Sequence, residues 1–210
     1  MNMKKILCLF AAIMLAMTAF VAGAETPEEI VSRMEAAINS RAEDGIAMTI
    51  RVKVPIVGEM CTKTYSRGKK SLTKSNVKGV DCFVWTDGGQ IWTYNNKTNE
   101  IYYAKGSSSP DNDNMALFDG IADGYDLCLV EEDEKSWTLK GSKMKSNEDD
   151  EAPKKLEIVI AKGTYYPVCL NTKMKGISMK MEEITFGITE EQVTFNRDKF
   201  PGIPIIDKSK

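Results

Sequence analysis

The spacing of hydrophobic positions changes character along the chain. Ile6 to Val21 is apolar without a single charge, behind the basic pair Lys4 and Lys5. From Ile30, apolar residues recur at helical spacing (Ile30, Val31, Met34, Ala37, Ile38), which predicts an amphipathic helix over 27–39. Thr26, Pro27 and Glu29 supply its N-cap, first-turn proline and capping-box acid. From Ile46 the period becomes two: Ile46, Met48, Ile50, Val52 and Val54 alternate with mostly polar neighbours, as in a half-buried strand. Further strands are predicted near 59–66, 69–78, 81–87, 90–95, 99–104, 125–131, 135–140, 154–161, 164–171, 175–187 and 192–196. Asp87-Gly88-Gly89 and Asn95-Asn96-Lys97 mark tight hairpins. Asn114 or Asp113 can cap a short helix near 114–122 carrying Met115, Leu117, Phe118 and Ile121.

In the later strands Leu156, Ile158 and Ile160 share a face, as do Tyr166, Val168 and Leu170. Ile177, Met179 and Met181 lie opposite Ser178, Lys180 and Glu182, with a slip of register at Glu182-Glu183 before Ile184 and Phe186. Consecutive hairpins without intervening helices describe an antiparallel meander. The expected fold is mostly β (α+β): a single curved antiparallel sheet, unclosed, with a few covering helices. Two short helices are little cover for one long apolar face, which points to an incompletely filled interior.

The first 24 residues read as a signal peptide, with Ala22-Gly23-Ala24 giving the small-x-small cleavage pattern and Glu25 the mature N-terminus. The expectation is therefore an exported, periplasmic protein whose residues 25–210 form one domain. Cys8 lies inside the hydrophobic region, where it cannot become a lipid-modified first residue. Removing the signal leaves 26 basic against 30 acidic residues, a charge of −4, which argues against nucleic acid as a partner. The chain has no histidine, which removes Ser-His-Asp and Cys-His nucleophiles and His-containing zinc sites. No catalytic residue, metal ligand or cofactor motif emerges, so the chain is expected not to be an enzyme. An acid pair such as Asp81 and Asp87, or Glu182 and Glu183, is the nearest rival, but nothing singles it out. Cys61, Cys82, Cys128 and Cys169 lack CxxC spacing; they can be free thiols or two disulfides in any of three connectivities. Cys128 and Cys169 both oppose the apolar parity of their strands, which favours a 128–169 bond if those strands pair.

Three stretches resemble the LolA-like lipoprotein carriers of Gram-negative envelopes. They are Trp85-Thr86-Asp87-Gly88-Gly89-Gln90-Ile91-Trp92-Thr93-Tyr94-Asn95, Tyr166-Pro167 before a long amphipathic strand, and Val193-Thr194-Phe195 with the tail Phe200-Pro201-Gly202-Ile203-Pro204-Ile205-Ile206-Asp207. With the leader, early helix and strand order, the resemblance covers nearly the whole chain. It implies an unclosed half-barrel whose helices cover an apolar cavity, acting as a monomer. The implied cargo is lipoprotein acyl chains or another lipid, passed from an inner-membrane releasing complex to an outer-membrane acceptor. The expected cavity wall comprises Met48, Ile50, Val52, Val54, Trp92, Tyr94, Met115, Phe118, Leu156, Ile158, Ile160, Met179 and Met181. For Trp92 and Tyr94, ordinary core packing is the alternative. Arg67 is the nearest match to the family's cargo-release arginine, although the following proline is missing and an ordinary charged surface turn is the favoured explanation. A non-catalytic sensor or protein-binding domain on the same half-barrel is the alternative function.

Overall fold

The computed structural model describes residues 25–56, 58–106, 118–150 and 152–209. The expected signal peptide and Met115 lie outside the described residues. Helix α1 (Pro27–Asn39) starts where its capping box predicts: the Glu29 N–H donates to Thr26 Oγ1 at 3.2 Å and the Thr26 N–H to the Glu29 carboxylate at 2.9 Å. It buries Ile30, Val31, Met34 and Ile38 along one stripe. Gly45 then turns the chain into the first strand at φ +71°, and a Cβ there would sit 2.6 Å from the Ser66 carbonyl oxygen, so only glycine fits.

The strands are β1 (Ile46–Val54), β2 (Gly58–Arg67), β3 (Lys70–Val77), β4 (Val80–Asp87), β5 (Gln90–Asn95) and β6 (Glu100–Lys105). After them come β7 (Tyr125–Glu132), β8 (Ser136–Lys143), β9 (Lys155–Ala161), β10 (Pro167–Met174), β11 (Ile177–Phe186) and β12 (Ile205–Asp207). They form one twelve-stranded sheet ordered β12-β6-β5-β4-β3-β2-β1-β11-β10-β9-β8-β7. Among the described residues only β12 pairs parallel, with β6, and the edges β7 and β12 are not joined, so the sheet stays open. The mostly β, unclosed architecture expected from the alternation is the observed one.

Several local expectations are corrected. Residues 118–124 form bends and turns rather than the second half of a helix. The expected strand at 192–196 is instead a short helix, α2 (Glu190–Val193), because Thr189 and Gln192 form a second capping box. Strand β10 begins at Pro167, since Gly163 to Tyr166 is spent on a turn closed by the Tyr165 N–H on the Ala161 carbonyl at 2.9 Å. A register shift between Pro167 and Cys169 then throws Val168 outward, 47% exposed, away from the face of Leu170. The slip at Glu182-Glu183 is a bulge: Ala47 pairs with Thr185 but Thr49 with Glu182, and Glu183 adopts φ +55°. Cys128 and Cys169 do sit on the polar side of their strands, but β8 and β9 lie between β7 and β10. At about 4.8 Å per strand the two cysteines are roughly 14 Å apart, too far for a bond, and all four described cysteines are free.

The sheet carries its two apolar surfaces on opposite faces. Directly paired residues share a face, so the row Ile50, Met181, Leu170, Ile158, Leu139 and Leu129 lies on one side of the C-terminal strands. Helix α1, Phe118 and Ile121 cover that side. On the N-terminal strands the large side chains form the row Ala47, Tyr65, Leu72, Trp85, Trp92 and Tyr103. Ala47 and Met48 are neighbours in one strand and therefore point oppositely, so this row lies on the other side of the sheet, under the C-terminal tail. The exchange happens at β1, which explains why Ile46, Ala47, Met48 and Thr49 are all buried. Ile46 and Met48 join the helix-side core; Ala47 joins Ile188 and Val193 on the tail side.

Candidate lipid-binding face

The helix side of β1 and β7–β11 is the apolar surface predicted from alternation, and most candidate cavity residues lie on it. Met48, Leu156, Ile158, Ile160 and Met181 are buried in one cluster with Ile30, Val31, Met34 and Ile38 of the helix. Ile50 and Met179 are half-buried against the same cluster. Phe118 is also buried there, so the segment after the undescribed stretch helps to close the face, although as turns. Val52 pairs with Met60 and Met179 on this side, and Val54 lies two residues further along the strand. These last two residues are half-buried and outside the packed cluster, so the apolar stripe runs on past the helix.

Trp92 and Tyr94 are not part of this surface. The Trp92 ring stacks on Phe195 at 5.2 Å and 11°, and Tyr94 packs on Phe200 at 5.0 Å, both on the tail side. They anchor the C-terminal segment together with Trp85, whose ring meets Phe195 at 5.4 Å and Phe200 at 5.6 Å. Edge-to-face and offset rings at these separations hold the tail across β4 and β5. A cavity of about 310 Å³ opens beside them between Tyr65, Phe83, Trp85 and Phe200. The helix side of β2–β5, the side expected for Trp92 and Tyr94, is instead rich in hydroxyls: Thr62, Thr64, Ser71, Thr73, Ser75, Thr86 and Thr93.

Arg67 sits at the β2–β3 turn, where Nη1 donates to the Ile188 carbonyl at 2.6 Å and the Asp44 carbonyl at 3.3 Å. It ties the segment before β1 to the segment after β11.

Among the described residues, helix α1 makes no backbone hydrogen bond to the sheet; it is held by its buried side chains, and polar contacts from Arg33 and from Arg41 just beyond it reach the turn before β10. Arg33 reaches the Tyr165 hydroxyl at 2.9 Å and Glu25 at 2.7 Å, and Arg41 reaches the Tyr166 hydroxyl at 3.2 Å. Its backbone hydrogen bonds are internal, so no strand ladder resists its displacement. One contact on the helix is unfavourable. Partial burial pushes the Glu35 carboxyl above the ordinary carboxylate range, and the nearby Asp123 and Asp119 push it further, against a lowering hydrogen bond from the Gly120 N–H. Among the described residues no group of three His, Cys, Asp or Glu side chains could hold a metal ion.

The opposite side of the C-terminal strands is polar and holds a groove of about 660 Å³, walled by Arg51, Lys53, Lys155 and Lys173 among others. Alternation puts Arg51 and Lys53 on the polar side of the first strand, but Lys173 falls between the strands predicted at 164–171 and 175–187, and nothing in the sequence indicates that these residues converge.

The sequence matches no protein-family model and no curated protein. Among solved structures the chain is similar to an uncharacterised conserved protein from Thermus thermophilus, with a TM-score of 0.45 and 17% identity over 86% of this chain and 98% of that one. It is similar to the MucA/MucB complex structure of Pseudomonas aeruginosa, with a TM-score of 0.46 and 13% identity, covering 80% of this chain and 60% of that one. A LolA superfamily protein from Nitrosomonas europaea gives 0.32 and 9% over 83% of this chain and 100% of that one. The strand order, the unjoined edges and the helix laid on one face make an open, mostly antiparallel half-barrel.

Proposed function

We propose that this chain is an exported, non-catalytic carrier that holds acyl chains of lipoproteins, or another lipid, between helix α1 and the apolar side of β1 and β7–β11. Its place would be the periplasm, after cleavage following Ala24, and its cargo would travel towards the outer membrane. The observation that carries this proposal is the combination of a helix packed on the face by side chains, with no strand ladder, and an apolar stripe that continues beyond it. Exposing Ile30, Val31, Met34 and Ile38 on lifting the helix costs about 1.5–3 kcal/mol each, or roughly 6–12 kcal/mol together. An acyl chain returns about 0.8 kcal/mol per buried methylene, so some fifteen methylenes return about 12 kcal/mol and offset the displacement. Cargo can thus replace the helix on the same surface with no polar contact.

One observation favours a second function, a protein-binding envelope domain: the helix already fills the face with side chains that are almost wholly buried. A fluorescent acyl-chain probe separates the two. Uptake by the native protein, weakened about tenfold or more in Met179→Glu with melting temperature retained, supports the carrier; Met179 is half-buried, so the charge perturbs the stripe more than the core. A native protein that takes up no probe sinks it.

A further inference from the structure

On the face opposite the helix, the strand register lines up two cross-strand rows of polar residues. One runs Arg51, Lys180, Asn171, Glu157 and Lys140; the next runs Lys53, Ser178, Lys173, Lys155 and Ser142. Both line the groove of about 660 Å³. The intervening Leu156, Thr172 and Met179 send their side chains to the helix side, so here they contribute backbone to the groove floor.

The groove concentrates positive charge in a chain whose formal net charge is −2. Six basic side chains line it against two acids, Glu59 and Glu157. The first row is internally neutralised: Arg51 meets Glu182 at 2.5 Å and Glu59 at 3.3 Å, Lys180 meets Glu182 at 2.6 Å, and Lys140 meets Glu157 at 3.5 Å. The second row is not. Glu59 faces Lys53 across β1 and β2, but its carboxylate is turned to Arg51. Lys53, Lys155 and Lys173 form no ion pair among the described residues, and Lys155 stands directly opposite Lys173. Like charges facing across a ladder are destabilising, and nothing in the fold requires them there.

We propose that this row is a docking site for an extended acidic segment of a partner protein. Lys53, Lys173 and Lys155 span four adjacent strands, about 14 Å at 4.8 Å per strand. Lys53 and Lys173 are two strand spacings apart, about 10 Å, and Lys173 and Lys155 one, about 5 Å. Four residue steps of an extended chain cover about 13 Å, so Asp or Glu at alternate positions i, i+2 and i+4 spans the same length, and the long lysine side chains take up the uneven spacing. The lysine stems give the groove apolar walls against which the segment's aliphatic carbons pack. A single phosphate would engage only the Lys155–Lys173 pair and leave Lys53 unanswered. A planar bilayer would touch the rim of a concave groove and leave its floor empty. The proposal is independent of cargo binding on the other face.

The test uses the full mature chain and a labelled peptide of about eight residues alternating Glu and Thr, read by fluorescence anisotropy. Binding is expected at about 50 mM salt, weakening several-fold at about 300 mM as exposed charges are screened. A Gln-Thr peptide should not bind. The triple variant K53E/K155E/K173E should lose about tenfold or more, since rim charges steer and select acidic partners. The milder triple K53Q/K155Q/K173Q guards against misfolding, and far-UV circular dichroism with acyl-probe uptake should match the parent in both. Peptide binding unchanged in both triples overturns the proposal. So does tighter binding of glycerol phosphate, or of anionic vesicles, than of the acidic peptide.

Discussion

Replacing Met34 by alanine tests whether helix α1 is a separable cover. Met34 is 0% exposed at the centre of the helix-side cluster, so truncation removes its buried contacts and leaves a void between the helix and the strand residues beneath it. Methionine-to-alanine changes of this kind cost about 2–5 kcal/mol. Because the helix is attached by side chains and has no ladder to the sheet, a loss of about 3 kcal/mol should fall on local detachment of residues 27–39. At about 1.4 kcal/mol per factor of ten, the detached population rises roughly a hundredfold. Hydrogen exchange followed by mass spectrometry should show the amides of residues 28–39 exchanging roughly a hundredfold faster. Amides of Val80–Asp87 and Gln90–Asn95, whose aromatic residues pack under the tail on the opposite face, should change far less. If those strands accelerate as much as the helix, detachment and global unfolding are one event and the cover is not separable. If the helix amides do not accelerate, Met34 is not holding it down.

Three further outcomes follow from the same geometry. Trp85→Ala should cost about 3–5 kcal/mol and free the C-terminal tail, seen as lost near-ultraviolet dichroism and faster proteolysis after residue 188, with the helix-side core intact. The folded state raises the Glu35 carboxyl, so its ionisation opposes folding: the destabilisation is absent at acidic pH, where the group is protonated, and grows as pH rises through the raised value. Glu35→Gln should therefore raise the melting temperature at neutral pH and leave it nearly unchanged at about pH 4. Under mild oxidation no Cys128–Cys169 peptide should appear in a non-reducing digest, and exposed Cys128 should alkylate before Cys82 and Cys169, whose thiols burial pushes up.

Where the signal was local, the chain disclosed its structure. The Thr26–Glu29 box and the period-two runs located α1 and most strands, and the slip at Glu182-Glu183 proved to be a bulge. Thr189 to Gln192 carried an equally local signal, a capping box, that the alternation reading passed over. The misplacements came from relations between elements. Alternation says which residues of one strand share a face, but not which face of the sheet that is. Trp92 and Tyr94 were therefore grouped with Met48 and Ile158, although the uninterrupted register from β1 to β5 puts them on the other side. The Ile46-Ala47-Met48-Thr49 run, buried on both faces, was the one hint that two cores meet at β1. The convergence of Lys53, Lys155 and Lys173, more than a hundred residues apart at its extremes, depends on strand order and has no sequence signature.

The central claim is that the apolar side beneath helix α1 holds acyl chains, and native mass spectrometry of the protein isolated from its own envelope tests it most directly. The carrier account predicts a mass increment of one lipid or acylated peptide, lost in Met179→Glu and recovered by adding fatty-acyl ligand to stripped native protein. A native protein that is bare from the envelope and gains no mass with added acyl ligand contradicts it.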